Sequence, residues 1–142
     1  MPEPPDLGLL LLAPYPELEA RTVEALAAAG FDDLTLAQAR MFSHIAPAGS
    51  RPTELAAAAG ITKQSAGFLV DQLERAGYVE RVPDPADGRA RLVRIADRGA
   101  RSVEATRAIV AQVEAEWSAH LGAYRMTQLR RILVDLHAVT DP

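Results

Sequence analysis

Residues 51–99 read RPTELAAAAGITKQSAGFLVDQLERAGYVERVPDPADGRARLVRIADRG, and their punctuation decides the fold. Pro52 suits the first turn of a helix, Glu54 sits near its positive end and Gly60 suits the residue that closes it, which predicts a short helix over 52–59. Ile61 lies just outside Thr62, a good N-cap residue. Ala66, Leu69, Val70, Leu73 and Ala76 then recur at helical spacing before Gly77, which predicts a helix over 63–76. Two helices joined by a gap this short, with a glycine in it, form a helix-turn-helix. Beyond Gly77 the period changes. Tyr78 to Val82 is a β-type run, Pro83-Asp84-Pro85-Ala86-Asp87-Gly88 is a dense turn, and Leu92, Val93 and Ile95 resume the β-type pattern. The expectation is a two-stranded hairpin with a long, charged tip.

Upstream, Thr35 followed by Gln38 is a capping-box pattern, and Leu36, Ala39, Phe42, Ile45 and Ala46 follow at helical spacing until Pro47, so a helix is expected over 35–46. Downstream, Asp97 offers an N-cap to a long helix on which Val103, Thr106, Val110, Val113, Trp117 and His120 share a face, and Gly122 breaks it. Met126, Leu129, Leu133 and Leu136 form the stripe of a last helix over 125–139. At the N-terminus, residues 7–12 and 17–28 read as helical with Gly30 as terminator. Pro14 and Pro16 lie between them and demand two pieces or a strong kink. The expected fold is mainly α, an α+β winged helix-turn-helix: one domain over 1–142, with a winged-helix core at 35–101 and flanking helices at 5–30 and 102–140.

The composition agrees. The chain has 142 residues, 49% of them hydrophobic, and no cysteine, which excludes a disulfide scaffold, a thiolate zinc site and a cysteine nucleophile. The seven-residue apolar run Leu7 to Ala13 follows Glu3 and Asp6 rather than basic residues and precedes Pro14, unlike a signal peptide or a membrane span, so a cytoplasmic location is expected. The formal net charge is −4, but it is unevenly distributed. Residues 1–50 hold two arginines against seven acids, whereas Arg75 to Arg101 holds seven arginines against four acids. An excess carried by arginine suits bidentate binding of phosphates.

Enzyme readings lack a constellation. His44, His120 and His137 fall on three different predicted helices, no metalloprotease or calcium-loop spacing occurs, and no glycine-rich phosphate loop follows a strand. No catalytic residue, metal or cofactor is expected. Asp32 and Asp33 precede a helix whose positive end they would favour.

Residues 51–99 closely resemble the DNA-binding core of the MarR (multiple-antibiotic-resistance regulator) family of bacterial transcription factors. The resemblance rests on Asp84-Pro85, Asp87-Gly88-Arg89, Leu92, Ile95 and Arg98-Gly99 around the wing. It rests also on Glu54-Leu55-Ala56 and on the run Leu73-Glu74-Arg75, Gly77-Tyr78, Val79, Glu80-Arg81. Two departures stand out. Ala96 occupies a position that is often threonine in the family, so Asp97 is expected to cap, and Pro14 and Pro16 interrupt what the resemblance implies is a continuous dimerisation helix.

In a helix-turn-helix the N-terminal residues of the second helix face the major groove. Thr62, Lys63, Gln64, Ser65 and Gly67, polar or small, are therefore the expected DNA contacts, by base edge or by phosphate. The resemblance implies that Arg89 enters or borders the minor groove with Asp87 helping to hold it. Arg91 is expected on phosphate, and Arg89, Arg91 and Arg94 are expected to share one strand face. Flanking helices with apolar faces need a partner, and a symmetric homodimer supplies one. The resemblance also implies a repressor on a pseudo-palindromic double-stranded operator, released by a small aromatic effector bound where the dimer helices meet the core. Tyr15, Arg40, Met41, His44 and Trp117 are candidates for that site by position. The competing reading is a winged-helix module that binds protein and not DNA.

Overall fold

The computed structural model describes residues 1–140; positions 141 and 142, at the end of the expected domain, lie outside the described residues. The order is α1 (Leu7–Leu12), α2 (Tyr15–Ala28), α3 (Leu36–Ser43), α4 (Pro52–Ala59), α5 (Lys63–Arg75), β1 (Val79–Asp84), β2 (Asp87–Ile95), α6 (Asp97–Leu121) and α7 (Ala123–Thr140). This is the mainly helical winged helix-turn-helix. The chain forms two compact units, one from Met1–Thr22 with Thr106 onward, the other from Val23–Ala105.

Local chemistry sets the boundaries. Pro14 and Pro16 split the N-terminal segment into two helices, the first capped by Asp6, whose Oδ1 accepts from the Leu9 amide at 3.0 Å. Thr35 and Gln38 complete the capping box of α3 reciprocally, at 3.2 and 3.0 Å. Helix α3 stops at Ser43, short of the proline expected to end it. The His44 and Ile45 amides donate to the Met41 and Phe42 carbonyls at 3.1 Å, and these tighter i to i−3 bonds close the last turn. Helix α4 ends on Gly60, whose φ of 65° is the left-handed closure expected of it.

The core of the second unit joins Met41 and Ile45, Leu55 and Ala56 of α4, Ala66, Val70 and Leu73 of α5, Tyr78, Val79 and Val93. The buried stripe of α5 thus turns its opposite face outward. A short bridge between Ser50 and Val93 adds the segment before α4 to the hairpin, with bonds of 2.9 and 2.8 Å.

The hairpin and the start of α6 depart from expectation. Strand β1 runs through Pro83 to Asp84, and β2 begins at Asp87, so the turn is Pro85-Ala86 and not a long tip. Asp84 makes this possible by accepting from the Ala86 amide at 2.9 Å, an Asx turn. Gly88 lies on β2 without a positive φ. The pairing then slips from Pro83 with Arg91 to Asp84 with Asp87, leaving Gly88, Arg89 and Ala90 as a bulge. Asp97 is the first helical residue of α6 and not its cap. The Ala96 carbonyl accepts from the Ala100 amide at 2.9 Å, and Asp97 contributes its charge to the positive end.

Candidate nucleic-acid interface

Helix α5 opens on Thr62, whose Oγ1 accepts from the Ser65 amide at 3.1 Å and donates to Ser65 Oγ at 2.9 Å. The two hydroxyls thereby fix the entry of the helix. Lys63, Gln64 and Ser65 are exposed beside them, and Gly67, half-buried, has open space where a side chain would stand. The first turn of α5 is anchored from behind by Ala66 and Val70, which have no exposed surface.

On the wing, Asp87 Oδ1 accepts from the Arg89 backbone amide at 3.1 Å, so Asp87 sets the course of the main chain that carries Arg89. Arg89 stands within the bulge, where the regular alternation of faces is broken. The three arginines therefore do not share one face. Arg94 follows Arg91 by three residues, which places it on the other side of the pleat, and its Nε lies 2.6 Å from Oε1 of Glu80, its register partner on β1.

Ion pairing sorts the basic side chains of this unit into two groups. Arg51 is bound to Asp84 at 2.8 Å, Arg81 to Asp71 at 2.6 Å and Glu74 at 2.8 Å, Arg94 to Glu80, and Arg98 to Asp33 at 2.8 Å. Lys63, Arg75, Arg89, Arg91 and Arg101 are exposed and carry no ion pair among the described residues; of these, Lys63 lies in the first turn of α5 and Arg89 and Arg91 lie on the wing. The sequence alone could not divide them, because each partner is set by the fold.

The pair Asp33 and Arg98 belongs to a cluster that the sequence reading missed. Arg98 donates to both oxygens of Asp33 and to the Ala76 carbonyl, and its guanidinium lies 4.4 Å from the centre of the Tyr78 ring. The Tyr78 hydroxyl, on a buried ring, donates to Asp33. Asp33 thus ties the loop before α3 to the residue that precedes β1 and to α6, where a helix-end role is expected from the sequence. Arg98, and then the Tyr78 hydroxyl, hold the Asp33 carboxyl below the usual carboxylate range. Burial, followed by the bond to Asp33, pushes the Tyr78 phenol up to about 12.

The five candidate effector residues are divided between the two units. Tyr15 and Trp117 line an apolar groove of about 510 Å³ in the first unit, with Leu18, His120, Leu129 and Leu133. Met41 is 1% exposed in the core of the second unit, and Arg40 and His44 are exposed on that unit. No group of three or more His, Cys, Asp or Glu side chains suited to a metal ion occurs among the described residues. No described helix is long and apolar enough to cross a membrane.

Comparison with known proteins places this geometry. Residues 32–90 match a family model described as the MarR family. Among solved structures, the reduced form of MarR from E. coli is 28% identical, with 95% of this chain and 98% of that one covered and a TM-score of 0.73. The transcriptional regulator Tm0710 from Thermotoga maritima is 26% identical, with 94% and 93% covered and a TM-score of 0.68. A mutant of MepR from S. aureus, solved bound to an oligodeoxyribonucleotide, shares the fold at 19% identity, with 97% and 100% covered and a TM-score of 0.63. No curated protein matches the chain.

Proposed function

Because this chain belongs to the MarR family of transcriptional regulators, we propose that it acts as a homodimeric, sequence-specific DNA-binding repressor whose hold on DNA a small aromatic ligand weakens. The observation that carries the reading is the division of the cations. Arg51, Arg81, Arg94 and Arg98 are consumed by ion pairs within the unit, whereas among the exposed cations without one are Lys63 at the start of α5 and Arg89 and Arg91 on the wing, the elements that would meet DNA. Neutralising backbone phosphates releases counterions, which gives such a protein salt-dependent affinity.

In this reading Gln64, Ser65 and Lys63 present donors and acceptors to base edges in the major groove. Thr62 and the α5 amides hold a phosphate, and Gly67 lets the backbone approach. Arg89, its backbone fixed by Asp87, borders the minor groove, and Arg91 takes the adjacent phosphate. The apolar side chains that α1 and α7 expose, among them Leu7, Leu12, Ile132 and Val139, supply the dimer surface. The groove lined by Tyr15 and Trp117 takes the effector. That MepR has been solved bound both to an oligodeoxyribonucleotide and to ethidium bromide supports both partners.

The test is selection of duplexes from a random pool by the full chain, followed by footprinting. The expected product is a pseudo-palindrome with half-sites about 34–36 Å apart, or a multiple of that. A chain that enriches no sequence, or whose binding ignores salt, is instead the protein-interaction module.

A further inference from the structure

Phe68 is the most exposed large apolar side chain of the second unit, at 58%, against 47% for Val23 and 41% for Leu36. Its position on α5 is the informative fact. At 3.6 residues per turn, Gln64, Phe68 and Asp71 fall within about 60° of one another, opposite the stripe of Ala66, Val70 and Leu73 that fills the core. The ring therefore shares the outward face with Gln64. An aromatic ring held out in water on that face forgoes burial that a partner surface would recover.

The surroundings favour a flat, partly apolar partner edge. Phe68 lines a broad, open depression of about 690 Å³ with Ile61, Gln64, Ser65 and Leu69. Beside it, Gly67 has open space where a side chain would stand, since a β carbon there would meet nothing within 4 Å outside its chain neighbours. The nearby Asp71 carboxylate, which would repel phosphates, is partly offset by Arg81 at 2.6 Å, a cation it shares with Glu74. In the major groove the one apolar feature of a base edge is the 5-methyl group of thymine, and phenylalanine is among the side chains that contact it.

We propose that Phe68 is a specificity-determining residue, which reads the 5-methyl group of a thymine about one helical turn along α5 from the base that Gln64 reads. The inference rests on the DNA-binding reading above and adds to it a contact that hydrogen bonding cannot supply.

Replacing thymine by deoxyuridine removes only that methyl, so it isolates the contact. The full chain selects its preferred duplex, and each thymine of that duplex is then exchanged in turn. Wild type should lose about fourfold in affinity at one thymine per half-site, the worth of one buried carbon. Phe68→Ala should bind the thymine and uracil duplexes equally, with an unchanged salt slope; as the ring is exposed, its thermal melt should match wild type. If wild type enriches a duplex yet tolerates uracil everywhere, or if Phe68→Ala keeps the sensitivity, the inference is overturned and DNA binding stands. If wild type enriches no duplex, both fall.

Discussion

The Asp84 carboxylate accepts a 2.9 Å hydrogen bond from Arg51 Nε, which joins the residue opening α4 to the strand end that enters the wing turn. Its other oxygen accepts from the Ala86 amide, so one side chain both shapes the turn and ties it to the helix-turn-helix. These two donors, the Ala86 amide foremost, hold the Asp84 carboxyl below the usual carboxylate range. A lowered pKa contributes stability that is present above the ordinary carboxylate value and lost as pH falls through the lower one. Asp84→Asn keeps the turn acceptor and removes the charge. Hydrogen exchange should therefore quicken over residues 84–90 at neutral pH while α5 stays protected, and wild type should show the same change only in acid.

Tyr78 gives the opposite sign. Its phenol, raised to about 12 by burial and by Asp33, favours the folded state below pH 10. Stability should fall as pH rises from about 10 through about 12. Ultraviolet titration should show a late phenol that Tyr78→Phe abolishes.

Gly99, in the first turn of α6, packs so closely that an added β carbon would stand 2.2 Å from the Tyr78 carbonyl oxygen and 3.0 Å from Ile95 and Phe42 side-chain carbons. That carbonyl also accepts from the Ala96 amide, so it has no freedom to retreat. Gly99→Ala should cost at least about 1–3 kcal/mol, by the measure of overpacked cores. Urea unfolding should show a lower midpoint at an unchanged slope.

What could be read from sequence was what short-range chemistry controls. Thr35 with Gln38, and Pro52, Gly60 and Thr62 each by itself, act within four residues, and each stands where the pattern puts it. What could not be read was set by distance in the chain. Asp33 finds Arg98 across 65 residues, and no local signal separates that carboxylate from one at a helix end. The wing bulge is a register slip between two strands, so neither strand alone reveals it, and it moved Arg89 off the face assumed for it. Arg94 was misplaced by counting alone. Three steps from Arg91 reverse the pleat, and Glu80 waits on that side.

The flanking helices carry their own prediction. Leu7, Leu12, Ile132, Val134 and Val139 are all more than half exposed, an apolar surface that a second copy of the chain should cover. Sedimentation at micromolar concentration should give a dimer. Ile132→Glu and Val139→Glu together should give a monomer with its α5 and wing intact, and a wild-type monomer would refute the arrangement.

If unpaired cations hold DNA while α5 reads it, a salt series on Arg89→Ala and Gln64→Ala separates the two contributions. Removing one phosphate-neutralising charge should reduce the slope of log affinity against log salt by about 0.9 and weaken selected and random duplexes alike. Removing the base-reading amide should leave the slope unchanged and cost about 1–3 kcal/mol at the base pair it reads. An Arg89→Ala variant with wild-type affinity and wild-type slope would leave the wing a charged hairpin with no hold on DNA.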